Sequence, residues 1–467
     1  MIKFGTDGWR AEIAKDFTFE NLGYVALATA RYLNAKAGGA PKAVIGYDTR
    51  FLSKEFAEYS AAILASEGVE VYLTDNFAST PMTSFHTKEK GADLGVMITA
   101  SHNPPQYNGY KLKGSFGGPA TPDQVAEVEE VLKTIMDNPP EIKPEKLEKY
   151  VESGKVHVFD AKTPFLDHIK KQIDLSKIEA MNLKILFDPM FGAGMGLITE
   201  LIPSADAIHS EFNPAFPEIG HPEPIDSHLE KAIQMIKEGD YNIGLATDGD
   251  ADRLGVIDDE GNFVNSHQVF MILLKYLHEK RNLSGSVVKT VSLTSMVDKY
   301  CKDNGIKLHI TPVGFKHTAK IMNEEQVMIG GEESGGLGTA LHIPERDGIF
   351  NGLLLMEVMA ERNKSLKELC DELDKEFGVH RYNRNDIRVS QEEKEQILEF
   401  LESEPDKVGQ YDVQKIDRTD GFKFIFKDGS WLLIRASGTE PLLRYYAESG
   451  SIDKVNNLLE AAKSMHK

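Results

Sequence analysis

Hydrophobic residues in the first hundred positions follow two different periodicities. Residues 18–33 carry apolar side chains three and four positions apart, which predicts an amphipathic helix. The runs at 43–48, 69–73 and 93–98 are short and mostly apolar, which is typical of buried strands. Strands that alternate with helices predict a mostly parallel sheet covered by helices.

The same alternation recurs along the middle of the chain. Strand-like runs at 183–188 and 242–246 enclose a helical stretch, and the runs at 287–291 and 327–329 repeat the pattern. Each set ends in a polar or glycine-rich loop that follows a buried strand. We therefore predict three related α/β domains.

The last part of the chain has a different pattern. Residues 390–401 are predicted to form a helix, and Asp428-Gly429 joins two apolar runs in the manner of a hairpin turn. This pattern predicts a small α+β domain. The predicted domains span residues 1–150, 151–260, 261–376 and 377–467.

A polar loop follows the strand-like run at 93–98. It reads Thr99-Ala100-Ser101-His102-Asn103-Pro104, and turn residues continue beyond it. Ligands bind at strand ends in open α/β sheets, so the Ser101 hydroxyl is a candidate nucleophile or phosphoryl carrier. A loop serine more often only satisfies a turn or caps a helix, so this hypothesis needs support from the rest of the chain.

Three carboxylates follow the strand-like run at 242–246. Asp248, Asp250 and Asp252 are spaced so that their oxygens can converge on one hard cation such as Mg²⁺. A solvated acidic turn is the plainer alternative, but clustered charges beside a buried strand are costly without a cation. An EF-hand is excluded because Arg253 stands where that loop requires glycine. A haloacid-dehalogenase-like phosphotransferase with Asp248 as nucleophile stays open, although Asp252 misses the last position of its Asp-x-Asp-x-Thr/Val pattern.

Two further loops carry side chains suited to ligand binding. Residues 330–336 combine glycines with Glu332, Glu333 and Ser334, and carboxylates are good acceptors for vicinal sugar hydroxyls. Residues 435–439 combine a guanidinium, two hydroxyls and a glycine, which favours phosphate binding. Taken singly, a glycine-rich turn and a surface ion pair remain the plainer interpretations of these loops.

Several other motifs are excluded by the sequence. Residues 192–196 lack the G-x-G-x-x-G order, because Leu197 occupies the last position, and they predict a tight strand-to-helix turn. No G-x-x-x-x-G-K-[ST] or G-x-S-x-G occurs, which argues against a P-loop or an α/β-hydrolase. Ser101 and His102 are adjacent, and adjacent side chains usually point apart, so they are a poor hydrolase pair.

Charge and composition narrow the class of protein. Of 467 residues, 27% are charged and 41% hydrophobic, as in ordinary globular proteins. The net charge of −20 argues against a nucleic-acid partner. A locally positive cleft can still concentrate an anion in such a protein. Basic residues that fall on predicted loops are Arg10, Lys111, Lys113, Arg253, Lys289, Lys316, Arg435 and Arg444.

Cysteine content and apolar runs indicate the cellular environment. Cys301 and Cys370 are far apart in sequence, so a disulfide framework or a zinc–thiolate site is not expected. No stretch approaches 18 consecutive apolar residues, and the N-terminal residues have no apolar signal segment. We therefore expect a cytoplasmic protein without membrane contact.

Four motifs together resemble the α-D-phosphohexomutase family, which includes phosphoglucomutase, phosphomannomutase and phosphoglucosamine mutase. They are residues 99–104, 248–253, 331–336 and 435–441, in the order and at the spacing of the family, over essentially the whole chain. The resemblance implies three related α/β domains with mixed sheets plus a C-terminal α+β domain around a central cleft. It implies interconversion of hexose 1-phosphate and hexose 6-phosphate through a phosphoserine and a bisphosphorylated sugar.

The resemblance also implies roles for individual residues. Ser101 would carry the phosphoryl group, and a phosphoserine oxygen would join Asp248, Asp250 and Asp252 on Mg²⁺. Further catalytic candidates are Lys111, which matches the lysine ten residues after the serine, Arg10 of the Gly5-Thr6-Asp7-Gly8-Trp9-Arg10 segment, and His102. Substrate-binding candidates are Arg253, Lys289 and Lys316 in the cleft, Glu332 and Ser334 at the sugar, and Arg435, Ser437, Gly438 and Thr439 at the phosphate that does not react.

The preferred sugar follows less directly from the resemblance. Relatives specific for mannose or glucosamine often end the sugar loop in His, whereas glucose-specific ones often carry the double Glu present here as Glu332-Glu333. We therefore expect a phosphoglucomutase, with phosphomannomutase or phosphoglucosamine mutase as alternatives. We also expect activation by a sugar 1,6-bisphosphate and a monomeric or dimeric protein. After Gly314, where the family often has His or Trp, this chain has Phe315 followed by Lys316. An aspartyl-phosphate phosphotransferase and a non-catalytic phosphosugar-binding protein are the more distant alternatives.

Overall fold

Four β-sheets, formed in chain order, make up the computed structural model, which describes residues 2–5, 8–436 and 442–464. The first sheet and its helices consist of β1 (Trp9–Glu12), α1 (Phe19–Lys36), β2 (Lys42–Tyr47), α2 (Ser53–Ser66), β3 (Glu70–Thr74), α3 (Thr80–Glu89), β4 (Leu94–Ile98), β5 (Tyr107–Gly114), β6 (Gly118–Pro119), α4 (Pro122–Asp137), α5 (Leu147–Glu152) and β7 (Val156–Phe159). The strand order is β1-β5-β4-β2-β3-β7, with β6 beside β5. The strand β7 lies past residue 150, where the first domain is predicted to end, yet it pairs with β3 of this sheet.

The second sheet has the strand order β12-β11-β10-β8-β9. Its elements are α6 (Lys162–Gln172), α7 (Leu175–Ala180), β8 (Ile185–Asp188), α8 (Leu197–Leu201), β9 (Asp206–Ala207), a 3₁₀ turn at Asp226–His228, α9 (Glu230–Glu238), β10 (Ile243–Thr247), β11 (Leu254–Ile257) and β12 (Phe263–Val264). The turn predicted at 192–196 lies between β8 and α8, with Gly196 at φ +79°.

The third and fourth sheets complete the chain. The third has the order β14-β13-β15-β16 and the fourth, entirely antiparallel, the order β17-β22-β21-β20-β19-β18. The third set contains α10 (Ser266–Glu279), β13 (Ser286–Thr290), α11 (Met296–Asp303), β14 (Leu308–Thr311), α12 (Phe315–Glu324), β15 (Val327–Gly331), β16 (Leu337–Thr339), α13 (Gly348–Arg362) and α14 (Leu366–Phe377). The fourth contains β17 (Arg381–Arg388), α15 (Gln391–Glu402), β18 (Lys407–Val408), β19 (Tyr411–Asp417), β20 (Phe422–Phe426), β21 (Trp431–Ala436), β22 (Leu442–Ser449) and α16 (Ile452–Ser464).

Local sequence signals explain several of these boundaries. The helix α15 begins after Ser390, whose side chain accepts from the Glu393 backbone while the Glu393 side chain accepts from the Ser390 backbone. Asp428-Gly429 connects β20 to β21, as the hairpin signal predicts. Capping and turn chemistry act within a few residues, so they could be read from the sequence.

The first three sheets repeat one arrangement. In each, a central strand is parallel to one neighbour and antiparallel to the strand that follows it in sequence, as in β4–β5, β10–β11 and β15–β16. The loop between the two strands carries Ser101 in the first sheet, Asp248 in the second and Glu332 in the third. The prediction of three related α/β domains with mixed sheets, followed by an α+β domain, is confirmed.

Hydrophobic cores divide the molecule unevenly. The second and third sheets and the face of α3 share one large core, while the first and fourth sheets each pack their helices on a core of their own. A small cluster of Val291, Trp431, Leu433 and Tyr446 joins the third and fourth domains. Among the described residues, no helix is long and apolar enough to cross a membrane.

Candidate active site

A cleft of about 900 Å³ lies where the four domains meet. Each domain contributes to its lining, for example Arg10, Arg253, Lys316 and Arg435. Among the described lining residues, eight are Lys or Arg and four are Asp or Glu. The cleft is therefore locally positive although the whole chain carries a net charge of −20, which suits an anionic ligand.

Ser101 lies at the bottom of this cleft with a constrained backbone. Its φ is +54°, its side chain is almost fully buried, and its backbone N–H donates to Thr99 Oγ1 at 2.8 Å. The Ser101 hydroxyl donates to Asp248 Oδ2 at 2.8 Å, which joins the first and second domains. A Cβ on Gly249 would lie 2.5 Å from the Ser101 carbonyl oxygen, so this close approach of two loops requires glycine.

The expectation that Ser101 and His102 point apart is wrong. The left-handed backbone at Ser101 turns the loop so that His102 Nδ1 lies 3.3 Å from Ser101 Oγ. Burial and the positive charges of Arg253 and Arg10 hold the pKa of His102 well below its usual range. The imidazole beside the serine is therefore neutral at physiological pH.

A buried arginine that the sequence analysis did not select organises the serine loop. The Arg50 guanidinium donates to the carbonyl oxygens of Ser101, Asn103, Pro104 and Tyr107, at 2.5 to 3.1 Å. Its Nε lies 3.3 Å from the carboxylate of Asp48, which also accepts the Thr99 hydroxyl at 2.6 Å. One guanidinium thus fixes the path of the backbone from the serine onward.

The three predicted metal ligands converge beside Ser101. Asp248, Asp250 and Asp252 each offer a carboxylate oxygen, and these oxygens all lie within 4.8 Å of one another. In the part of the chain that the structure describes, Asp250 Oδ1 and Asp252 Oδ1 are buried and have no hydrogen-bond partner. Two unpartnered buried carboxylate oxygens beside a third carboxylate fit a hard divalent cation.

The surroundings of this cluster shift the pKa values of two of its carboxyl groups in opposite directions. Burial and the neighbouring Asp250 and Asp252 carboxylates raise the pKa of Asp248 well above its usual range. Burial alone would also raise the pKa of Asp250, but the Lys111 ammonium at 2.8 Å, the Thr80 hydroxyl and the positive charge of Arg10 together lower it. Lys111 Nζ is also 3.4 Å from Asp252. The first sheet therefore supplies both the serine and a cation that neutralises the carboxylates.

The sequence predicts that Lys111 and Lys113 lie on loops, and this prediction is wrong. Both belong to β5 and are fully buried, because each ammonium meets a carboxylate of another domain. Lys113 pairs with Glu345 at 2.9 Å, and Glu345 also accepts from Ser84. These pairs attach the first sheet to the third domain.

The glycine-rich loop after β15 is held by the protein itself. Glu332 accepts from the Gly314 backbone N–H and from Arg346, both at 3.0 Å, and Arg346 also pairs with Asp252. Glu333 instead accepts from the hydroxyls of Ser292 and Thr290. Glu332, Glu333 and Ser334 line the cleft. Arg346 was not predicted, and it links the acidic cluster directly to the predicted sugar loop.

The fourth domain brings Arg435 to the far side of the cleft. Arg435 Nε donates to Asp420 at 2.6 Å, and Asp420 accepts the Val313 backbone N–H at 2.9 Å. The guanidinium is therefore anchored beside the third domain while it lines the cleft. The other residues predicted at this phosphate site, Ser437, Gly438 and Thr439, lie outside the described residues, as do Thr6 and Asp7 near Arg10.

The remaining predicted side chains divide into two groups. Arg10, Arg253 and Lys316 line the cleft; Arg10 donates to Asn103 on the serine loop and Arg253 to Glu223. Lys289 is not among the described lining residues, because its ammonium is buried against Asp298 and the Thr294 carbonyl oxygen. Its predicted contact with substrate therefore has no support in the geometry.

Family models match the chain domain by domain. The α/β/α domains I, II and III of phosphoglucomutase/phosphomannomutase match residues 1–139, 163–261 and 265–377. The C-terminal domain of the same family matches residues 387–463. The four matches cover most of the chain in the order of the family.

Whole-chain relatives agree with the domain models. A phosphoglucomutase/phosphomannomutase of Thermococcus kodakarensis is 31% identical over 463 residues, covering 98% of this chain and 96% of the relative. A phosphoglucosamine mutase of Bacillus cereus is 32% identical over 452 residues, covering 96% of this chain and 94% of the relative.

Solved structures share the architecture. A crystal structure from Thermus thermophilus, assigned as a phosphomannomutase, superposes with a TM-score of 0.87 at 33% identity, covering 99% of this chain and 98% of the other. These relatives, the family models and the converging loops of the first three domains lead to one conclusion: the chain belongs to the α-D-phosphohexomutase family and is a phosphohexomutase, an isomerase that moves a phosphoryl group within a sugar.

Proposed function

We propose that this chain interconverts hexose 1-phosphate and hexose 6-phosphate through a phosphoserine at Ser101 and a sugar 1,6-bisphosphate. The observation that carries the proposal is the position of the Ser101 hydroxyl, buried at the base of a positive cleft and bonded to Asp248. A single serine at the base of a cleft can serve both phosphate positions if the sugar turns over between two transfers.

The transfer balances without a water molecule. The Oγ–P bond of phosphoserine breaks as the sugar hydroxyl forms its own O–P bond, and the proton of that hydroxyl ends on Ser101 Oγ. The neutral His102 Nδ1, 3.3 Å from Oγ, is placed to hold or pass this proton. Lys111 is fixed between Asp250 and Asp252, so its role is charge stabilisation.

Asp248, Asp250 and Asp252 would hold a Mg²⁺ ion. When bound, a divalent cation offsets the negative charge of the transferring phosphoryl group. The unpartnered Asp250 Oδ1 and Asp252 Oδ1 support the assignment. An N-acetylphosphoglucosamine mutase of Aspergillus fumigatus, crystallised with GlcNAc-6P and magnesium, shares this fold with a TM-score of 0.59 at 14% identity, covering 100% of this chain and 96% of that chain.

Binding of the non-reacting phosphate falls to the far side of the cleft. Arg435, held by Asp420, can donate two parallel hydrogen bonds to a phosphate. Arg253 and Lys316 add positive charge to the lining of the same cleft. Glu332 and Ser334 would contact the sugar hydroxyls.

We propose glucosamine phosphate as the preferred sugar, rather than the glucose phosphate that the double Glu suggested. Arg346 balances the charge of Glu332, whereas the partners of Glu333 are neutral hydroxyls. Glu333 therefore leaves negative charge at the cleft, which favours the ammonium group of an amino sugar. The name of the Bacillus cereus relative supports this choice.

A substrate panel tests both the phosphoserine route and the preferred sugar. Glucose, mannose, glucosamine and ribose 1-phosphates are compared in the presence of Mg²⁺ and a trace of the matching bisphosphate, for wild type and Ser101→Ala. We expect glucosamine 1-phosphate to have the highest kcat/KM, and the variant to lose about 10⁴-fold or more on every sugar.

The possible outcomes separate the alternatives. A preference for glucose would overturn the sugar assignment and leave the phosphoserine route intact. Turnover that survives Ser101→Ala, with a phosphoenzyme cleaved by hydroxylamine, would point to an acyl phosphate on Asp248. Absence of turnover on every sugar would favour a phosphosugar-binding protein.

A further inference from the structure

A second group of potential metal ligands lies at the rim of the cleft, on the segment between β9 and α9. His221, Glu223 and His228 each offer one ligand atom, and these atoms all lie within 4.8 Å of one another. Ligand atoms around tetrahedral zinc are about 3.3 Å apart, as follows from bonds of about 2.0 Å. Small side-chain rotations would therefore bring the three atoms onto one cation.

The imidazole of His228 is already oriented as a metal ligand usually is. His228 Nδ1 is 3.0 Å from the carbonyl oxygen of Glu223. A histidine that donates one ring N–H to a carbonyl presents the other nitrogen as a ligand. The rings of His221 and His228 lie edge to face with centroids 4.4 Å apart, which keeps them on the same side of the loop.

The ligand set differs from that of the acidic cluster. Asp248, Asp250 and Asp252 offer only oxygens, which suit Mg²⁺, whereas imidazole nitrogens favour first-row transition metals. We propose that His221, Glu223 and His228 bind a divalent transition-metal cation of the Zn²⁺ class, at a site separate from the acidic cluster. Water completes the coordination, because all three ligands are partly exposed.

Occupancy of this site would alter the cleft through Arg253. Glu223 Oε1 accepts from Arg253 Nη1 at 3.2 Å, and both side chains line the cleft. A cation that takes the Glu223 carboxylate weakens this ion pair and leaves the Arg253 charge for the substrate phosphate. This consequence rests on the proposed function, whereas metal binding itself does not.

Copper is a suitable probe because its electron spin resonance reports nitrogen ligands. We add one equivalent of Cu²⁺ to the full chain saturated with Mg²⁺ and record couplings to imidazole nitrogen. We expect two-imidazole coupling in wild type and in Asp248→Asn, and its loss in the double variant His221→Gln/His228→Gln. His157→Gln is the matched control, since His157 lies 3.3 Å from Glu70 but belongs to no three-ligand cluster among the described residues.

Two results would overturn the proposal. One is a wild-type spectrum without nitrogen coupling, and the other is a coupling that persists in the double variant. Thermal melting of each variant shows whether it is folded, and Glu223→Gln, which keeps both imidazoles, should retain nitrogen coupling with at least tenfold weaker binding. Unchanged Cu²⁺ affinity in Glu223→Gln would remove Glu223 from the site.

A kinetic arm tests the link to Arg253. Zn²⁺ added to the Mg²⁺-saturated enzyme should lower the KM for hexose phosphate about threefold in wild type and leave it unchanged in the double variant. A rise in KM, or an equal effect in both proteins, would overturn the link to Arg253. If no sugar is turned over, the proposed function fails while the resonance result still decides the metal site.

Discussion

The two ends of the cleft are built in different ways. Around Ser101, the side chains that touch one another are almost fully buried and come from three domains, through Asp248, Lys111 and Arg346. At the far end, Arg435 is partly exposed and is held by one carboxylate of its own domain. We refer to these as the serine end and the Arg435 end.

The contrast indicates that the two ends of the cleft have different functions. Buried charges that are mutually paired cannot rearrange without leaving another charge uncompensated, so the serine end is preorganised. The fourth domain has its own core and meets the third through the small Val291–Trp431 cluster and through polar contacts such as Lys423 to the Val291 carbonyl oxygen. We infer that the Arg435 end adjusts to either orientation of the sugar while the reacting groups stay fixed.

After replacement of Ser101 itself, the strongest disruption of the serine end is expected from Asp250→Asn. The change removes the charge that pairs with Lys111 and leaves one carbonyl oxygen where the carboxylate offered two, one to Lys111 and one to the metal. We expect kcat to fall about 10²- to 10³-fold, as when a charge-stabilising group is removed from a transition state. Mn²⁺ titration should show weaker metal binding in the same variant.

Asp258→Asn is the matched control for this prediction. Asp258 is also a buried carboxylate of the second domain, but it caps a turn by accepting from the backbone of Glu260 and Asn262. We expect its kcat to stay within about threefold of wild type. An equal loss in both variants would mean that Asp250 acts only through the fold.

A smaller loss is expected from Arg50→Lys. A lysine ammonium has three donors and cannot reproduce the planar fork that reaches four carbonyls around Ser101. We expect kcat to fall about 10- to 100-fold with KM nearly unchanged, because misplacement of a reacting group by about 1 Å has effects of this size. Rapid-quench measurement of phosphoserine transfer provides the test.

Arg31→Lys controls for the substitution itself, since Arg31 is exposed on α1 of the same domain. Melting temperatures are recorded for both variants. A fall in kcat of Arg50→Lys that only follows its fraction of unfolded protein would contradict a positioning role.

The serine end also shows what could be predicted from sequence. Ser101 and the three Asp residues follow apolar strands within a few positions, so local pattern and motif resemblance located them. Arg50, Thr80 and Arg346 were missed because their partners are distant, and the contact of Thr80 with Asp250 spans 170 residues. Lys289 was predicted to contact substrate, because the sequence does not show that its ammonium pairs with Asp298 in the folded chain.

At the Arg435 end, Arg435→Gln should change binding more than chemistry. Loss of the guanidinium removes the proposed phosphate contact of the fourth domain, and its partner Asp420 stays bonded to the Val313 backbone. We expect KM to rise about tenfold, equivalent to about 1.4 kcal/mol, with kcat within about threefold of wild type. Arg418→Gln, at an exposed ion pair with Glu402 in the same domain, serves as control. A fall in kcat of the size seen for Arg50→Lys would remove the distinction between the two ends.

The smallest effect concerns the junction of the third and fourth domains. Burial, and then the positive charge of Lys289, lower the pKa of Lys423 from 10.5 to about 7. Below pH 7 the folded protein bears the full cost of a buried ammonium. Between about pH 7 and 10.5 the unfolded chain binds more protons than the folded one, so the contribution of Lys423 to stability improves as pH rises.

Lys423→Met removes this dependence and breaks the hydrogen bond to Val291 at every pH. The free energy of unfolding of the variant, relative to that of wild type, should therefore be highest near pH 6.5 and fall steadily toward pH 9.5. Melting of the full chain at several pH values measures the difference, with the exposed Lys427→Met of the same domain as control. A difference between Lys423→Met and wild type that is constant across this range would show that the junction buries no titrating ammonium. The inferred adjustment of the Arg435 end would then rest only on the separate core of the fourth domain and its small apolar junction with the third.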